Sequence, residues 1–301
     1  MATEIYIVNE EHPKIHRTQI EFIVRKDGKP GYAWDIMTGC KNIELGLCPG
    51  GSDYHCWAKA IALGRAKAAF PHGFEPTLYP NRFTQPIQNE KPSLIGVCFK
   101  ADLFGSWVDP EMVLYPKNPE LTLKDYTKHI VTKAPQHSFL FLTKNPEGYL
   151  DWGEFPDNAY LGFTANTYEM LSKGAEALRK AKAKHKWLIF EPVLSLTFRG
   201  PNLTFWLKEA GVEWLVIGGF SDRHRMKNYK EVLDLVEAAN RLEIPVWLKD
   251  NLKPTMDVLP VTSVYQYGSG KLRHELPRGV FDGEKRPGAE VSAPKRGSGT
   301  G

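Results

Sequence analysis

The chain is short of three things, and each shortage excludes a class of protein. Only 4 of its 301 residues are cysteine, and three of those four share one short stretch. That is not the pattern of a secreted disulfide framework, so a reducing compartment, the cytoplasm, is expected. No apolar run approaches the about 20 residues that span a bilayer, so no membrane attachment is expected. Residues Met1–Glu11 lack the basic and apolar stretches of a signal peptide. Charge of one sign is also scarce: 39 basic against 35 acidic residues leave a formal +4, which permits an anionic partner without demanding one. What remains, 42% hydrophobic and 25% charged residues, describes a globular chain able to bury a substantial core.

The rare cysteines mark the stretch around which the chain is organised. Cys40, Cys48 and Cys56 follow one another at equal intervals within Thr38–Trp57, and Gly46, Pro49, Gly50 and Gly51 between them make a loop that can fold back on itself. Three thiolates can therefore meet at one point. A four-iron cluster normally takes four, so three leave one iron open to another ligand, which suits chemistry better than a staple. The competing reading is zinc, with His55 beside Cys56 as a fourth ligand, although structural zinc sites favour ligand pairs two to four residues apart. Three unrelated buried thiols form the blandest reading, and the polarity of the loop argues against it. Cys98, inside an apolar run, reads as core.

Elsewhere the pattern alternates. Tyr32–Ile36 reads as a strand feeding the cysteine loop, and WAKAIALGRAKAAF after Cys56 as a helix. His72–Lys91, rich in proline, reads as an ordered surface loop. The runs Leu94–Phe99, Ser138–Leu142, Ala159–Phe163, Trp187–Phe190, Trp214–Ile217 and Pro245–Leu248 are short and almost wholly apolar, as strands covered on both faces are. Between them, Leu121–Ala134, Tyr168–Lys184, Leu203–Ala210 and Tyr229–Leu242 carry helical periodicity. The lysines of the Tyr168 helix read as a solvated face. The expected fold is α/β, a partial (β/α) barrel of about six to seven parallel strands over residues 31–267. An N-terminal extension (1–30) precedes it, and a C-terminal segment (268–301) follows, disordered from Gly283 on.

In such a barrel the site lies where the strands end. The residues just after the apolar runs are Lys100 and Asp102, Thr143 and Lys144, Thr164 and Asn166, Glu191, Gly218 and Gly219, then Lys249 and Asp250. Each has an ordinary alternative. Asn166 is placed to cap a helix, Glu191 precedes Pro192 in a turn, and the glycines form a hinge or let backbone approach a ligand. Their convergence with the cysteine loop favours function for the set.

WDIMTGC at Trp34–Cys40 with HCWA at His55–Ala58, then ADLF (Ala101–Phe104), FLTKNPE (Phe141–Glu147), YLGFTAN (Tyr160–Asn166), IFEPVLS (Ile189–Ser195), EWLVIGGFSD (Glu213–Asp222) and PVWLKDN (Pro245–Asn251), appear in that order. Together they resemble the three-cysteine phage Gp37/Gp68-like (DUF5131) family of radical S-adenosylmethionine (SAM) proteins. The resemblance implies a radical SAM barrel whose 4Fe-4S cluster sits on Cys40, Cys48 and Cys56, with SAM completing the open iron. One-electron reduction, from a flavodoxin- or ferredoxin-type donor, would release a deoxyadenosyl radical that abstracts hydrogen from a substrate. It further implies Asp102 at the methionine ammonium, Asn166 at the ribose, and Gly218 and Gly219 near the adenine, with Glu191 and Lys144 serving SAM or substrate. By analogy with spore photoproduct lyase, the substrate would be a nucleic acid or nucleotide. The alternative from another class is a zinc-stabilised binding protein without turnover.

Overall fold

The computed structural model describes residues 4–10, 14–48, 55–115, 118–194, 196, 202–219, 229–256, 263–266 and 271–281. Two short strands, β1 (Tyr6–Ile7) and β2 (His16–Arg17), precede β3 (Tyr32–Trp34) and β4 (Met37–Thr38). After the cysteine loop come α1 (Trp57–Leu63), β5 (Thr77–Leu78), β6 (Leu94–Val97), and the antiparallel pair β7 (Val113–Tyr115) and β8 (Asn118–Thr122). The remainder alternates: α2 (Leu123–Lys133), β9 (Ser138–Thr143), β10 (Ala159–Thr164), α3 (Tyr168–Lys180), β11 (His185–Phe190), α4 (Leu203–Glu209), β12 (Trp214–Ile217), α5 (Tyr229–Arg241), β13 (Val246–Leu248) and α6 (Lys253–Met256).

The main sheet has eight strands in the order β13-β12-β11-β10-β9-β6-β3-β2. The neighbours from β3 to β13 are parallel, and β2 is antiparallel to β3. This corrects the expected partial (β/α) barrel of the radical SAM type. The sheet is mixed and open, and two smaller sheets, β1-β5-β4 and β7-β8, accompany it. The six α-helices of the described residues do not follow every strand, and β9 is joined to β10 through a 3-10 segment, Pro146–Trp152. The physical reason lies at the two edges, both of which are taken by antiparallel chain. His16 and Arg17 pair with Ala33 and Tyr32. On the outer side of β13, the Leu248 N–H donates to the Arg273 carbonyl at 2.7 Å and the Glu275 N–H to the Val246 carbonyl at 3.0 Å. Capped edges need no closure against each other.

Side chains alternate along each strand, so the sheet has two buried faces. Phe139, Phe141, Leu188, Phe190, Leu215 and Ile217 join the core under the helices, with Leu171, Ala175 and Leu178 of α3 and Val232, Leu235 and Val236 of α5. Leu140, Trp187, Ile189, Trp214 and Val216 face the other way. There the terminal segments cover them: the Phe22 ring sits 5.9 Å from Trp187 and 5.7 Å from Trp214, and Val280 joins the same cluster. Burial on both faces is why these strands read as unbroken apolar runs. The predicted N-terminal extension is thus built into the sheet and its second core. Residues 271–281 of the predicted C-terminal segment are likewise packed, whereas the proposed tail from Gly283 lies outside the described residues.

Candidate metal and cofactor site

Because β3, β6 and β9 to β13 are parallel, their C-terminal ends lie along one end of the sheet. The cysteine loop begins there under tight constraint. Gly39 has φ +81°, and a Cβ on it would stand 2.1 Å from the Glu75 carbonyl oxygen, so only glycine fits. Its N–H donates to the Lys100 carbonyl at 3.0 Å, and the Cys40 N–H donates to that of Phe74 at 3.2 Å. The entry to the loop is therefore pinned from two sides.

The three thiols face a common neighbourhood. Burial raises the Cys40 thiol well above its usual range, with Asp102, Cys48 and Cys56 adding to the rise. Burial pushes Cys48 up to about 11, against the opposing pull of Lys144. Lys144 interacts with all three cysteines, and its own burial lowers it. The three sulfurs do not, however, form a group within 4.8 Å of one another. His55 is exposed. Pro49, Gly50 and Gly51, which the sequence assigned to loop folding, lie outside the described residues. Cys98 is buried in the core, as its apolar surroundings in the sequence suggested.

Asp102 is the joint of the site. It is buried, and its carboxylate accepts four hydrogen bonds: from Asn42 Nδ2 at 2.8 Å, Thr143 Oγ1 at 2.6 Å, the Lys144 N–H at 2.9 Å and the Phe104 N–H at 3.2 Å. Desolvation raises its pKa while these donors pull it back. Its oxygens are thus engaged by protein, tying the cysteine loop at Asn42 to the end of β9. Lys144 Nζ donates to Asn166 Oδ1 at 3.1 Å, and Asn166 Nδ2 donates to the Pro192 carbonyl at 2.7 Å. Asn166 is not the cap of α3. That role belongs to Thr167, whose hydroxyl accepts from the Met170 N–H.

A second polar group follows β11, β12 and β13. Lys249 Nζ donates to Glu191 Oε1, and Asn251 Nδ2 donates to the same oxygen at 3.2 Å. The Asn251 amide also brackets Gly219, accepting from its N–H at 2.8 Å and donating to its carbonyl at 3.1 Å. Gly218 donates to the Phe190 carbonyl at 2.8 Å, and a Cβ there would meet Glu191 at 2.9 Å. Close packing of Glu191 thus accounts for the first glycine, and the Asn251 bracket holds the second. Sequence reasoning missed Asn42 and Asn251 as organising amides. The signal available was their position, next to Cys40 and at the end of PVWLKDN.

Fold and site together define an open mixed α/β sheet protein with a thiol-rich pole at its parallel strand ends. The chain belongs to the family described as "Protein of unknown function (DUF5131)", which it matches over residues 17–253. No curated protein and no solved structure matches it.

Proposed function

We propose that the chain is a radical SAM enzyme that carries an iron–sulfur cluster on Cys40, Cys48 and Cys56. The observation that carries this reading is the three-cysteine loop itself, pinned at Gly39 and Cys40 and tied through Asn42 to Asp102, which also holds the Lys144 N–H, at the strand ends. A single zinc ion with thiolates at about 2.3 Å requires its sulfurs within about 4.6 Å of one another. The three sulfurs are not within that distance of one another as a set, and exposed His55 offers the zinc reading no support. Four-iron clusters are held by cysteine thiolates, and a three-thiolate set leaves one iron for a small ligand. When bound, such a cluster supplies the one-electron chemistry that cleaves SAM and initiates hydrogen abstraction, with a flavodoxin- or ferredoxin-type reductant as partner.

The protein's own residues do the positioning. Asp102, through Asn42 and the Lys144 N–H, fixes the cysteine loop against β9. Lys144, oriented by Asn166, places its amine beside the thiols. Glu191, Lys249 and Asn251 form a second polar group at the ends of β11 and β13, further along the same end of the sheet, with charged and amide groups that SAM or substrate could meet.

The test is anaerobic reconstitution with iron and sulfide, followed by assay for 5′-deoxyadenosine after reduction with dithionite. Wild-type protein should turn brown and form the product, the Cys48→Ala variant should do neither, and His55→Ala should keep the iron. A colourless protein that retains stoichiometric zinc and loses it on His55→Ala would overturn the reading.

A further inference from the structure

Away from the thiols, one more set of side chains with metal-binding chemistry converges. Glu21, Asp250 and His274 each place a ligand-capable atom within 4.8 Å of the other two. They come from three remote parts of the chain. Glu21 precedes Phe22, which anchors the N-terminal segment in the second core; Asp250 follows β13; and His274 lies in the antiparallel segment bridged to Trp247.

The His274 ring lies flat on the Trp247 indole, with centroids 4.4 Å apart and 3° between the planes, so its direction is fixed. Its Nε2 is enclosed and has no hydrogen-bond partner. The nearest carboxylate oxygen, Asp250 Oδ1, is 3.8 Å away, beyond hydrogen-bond reach. The Asp250 N–H donates to Glu21 Oε2 at 2.9 Å, which holds that side chain in place and leaves its second oxygen for another contact. The cations next in sequence are committed elsewhere, Lys249 to Glu191 and Arg273 to Glu275. Two carboxylates, that of Asp250 exposed, and an unpartnered imidazole nitrogen therefore lie together at the surface, and no lysine or arginine among the described residues is ion-paired with them.

We propose that Glu21, Asp250 and His274 bind a divalent first-row metal cation, at a site separate from the thiols. One imidazole and two carboxylates suit manganese, iron or zinc, whereas thiolates select softer partners. Three protein ligands leave positions for water or an anionic group. The bound ion links the N-terminal segment, the end of β13 and the C-terminal segment, the same pieces that close the sheet's second face and its outer edge. Binding to the folded state alone stabilises it by mass action.

The experiment is a manganese(II) titration of chelator-stripped full-length protein, with free ion followed by electron paramagnetic resonance. Manganese is the probe because the thiols compete poorly for it. The expected result is one saturable site per chain, a rise in melting temperature with added manganese, and nitrogen coupling from a coordinated imidazole in the pulsed spectrum of wild-type protein. Glu21→Gln and His274→Gln should each weaken binding about tenfold or more, while the variant with Cys40, Cys48 and Cys56 all replaced by alanine binds as wild type does. Absence of saturable binding at millimolar manganese, binding undiminished in E21Q and H274Q, or bound manganese without nitrogen coupling would each overturn the proposal. The nitrogen coupling is read on wild-type protein, so a misfolded variant leaves that arm intact, and no outcome depends on the cluster.

Discussion

At the scale of single residues, Asp102 shows how a buried charge is held by geometry. All four of its contacts come from donors, so an amide in its place turns an N–H toward at least one of them. Asp102→Asn, though isosteric, should therefore cost about 1–3 kcal/mol, read as a lower urea midpoint. An unchanged midpoint would mean that the site relaxes around the amide. His137 gives a pH-dependent effect. Its Nε2 donates to the Asn89 carbonyl at 2.7 Å, and its Nδ1 is buried without a partner. Burial holds its pKa below the ordinary 6.5. Below pH 6.5 the unfolded chain takes up a proton that the folded chain refuses, so stability falls with decreasing pH until the folded value is reached. Denaturation midpoints at successive pH values should show that slope, and His137→Gln should flatten it. Sequence was a good guide to which residues gather at the strand ends and a poor one to their partners. Neither Asn42 nor Asn251 stands out in the sequence, because an amide's hydrogen bonds to chain remote in sequence leave no local pattern.

At the scale of elements, period and burial made most of the structure legible. Seven apolar runs became β3, β6 and β9 to β13, and the amphipathic stretches became α2, α3, α4 and α5, with shifts of a few residues at the ends. The Tyr168 helix stops at Lys180, short of the expected Lys184, because Ala181 is extended. What escaped were β1, β2, β4, β5 and the β7-β8 pair, each only two to five residues long. Such segments are too short to show alternation and are fixed by their partners. Caps escaped too: Thr167, not Asn166, starts α3. Thr167→Ala should cost about 1 kcal/mol, whereas Asn166→Ala should disturb Lys144 and the Pro192 turn instead. Calorimetry of the two variants, with iron content of the reconstituted proteins, separates these roles, and an Asn166→Ala variant that holds iron normally would argue against the positioning of Lys144.

At the scale of the molecule, the open sheet was the part that sequence could not supply. Alternating strands and helices say that a parallel sheet forms, but not whether its edges meet. That was decided by His16 and Arg17 on one side and residues 273–275 on the other, contacts that join distant parts of the chain through no recognisable motif. The same terminal pieces cover the second core, while the parallel strand ends carry the cysteine loop with Asp102 and Lys144 toward β3 and the Glu191–Lys249–Asn251 network toward β13. The proposed iron–sulfur cluster, with its site for SAM, would sit on the cysteine loop at this pole. Electron paramagnetic resonance of the reconstituted, dithionite-reduced protein, recorded with and without SAM, tests it most directly. The account predicts a reduced-cluster signal whose shape changes when SAM is added and which disappears in Cys40→Ala. A protein that takes up no iron, or whose signal ignores SAM and survives the loss of Cys40, would contradict it.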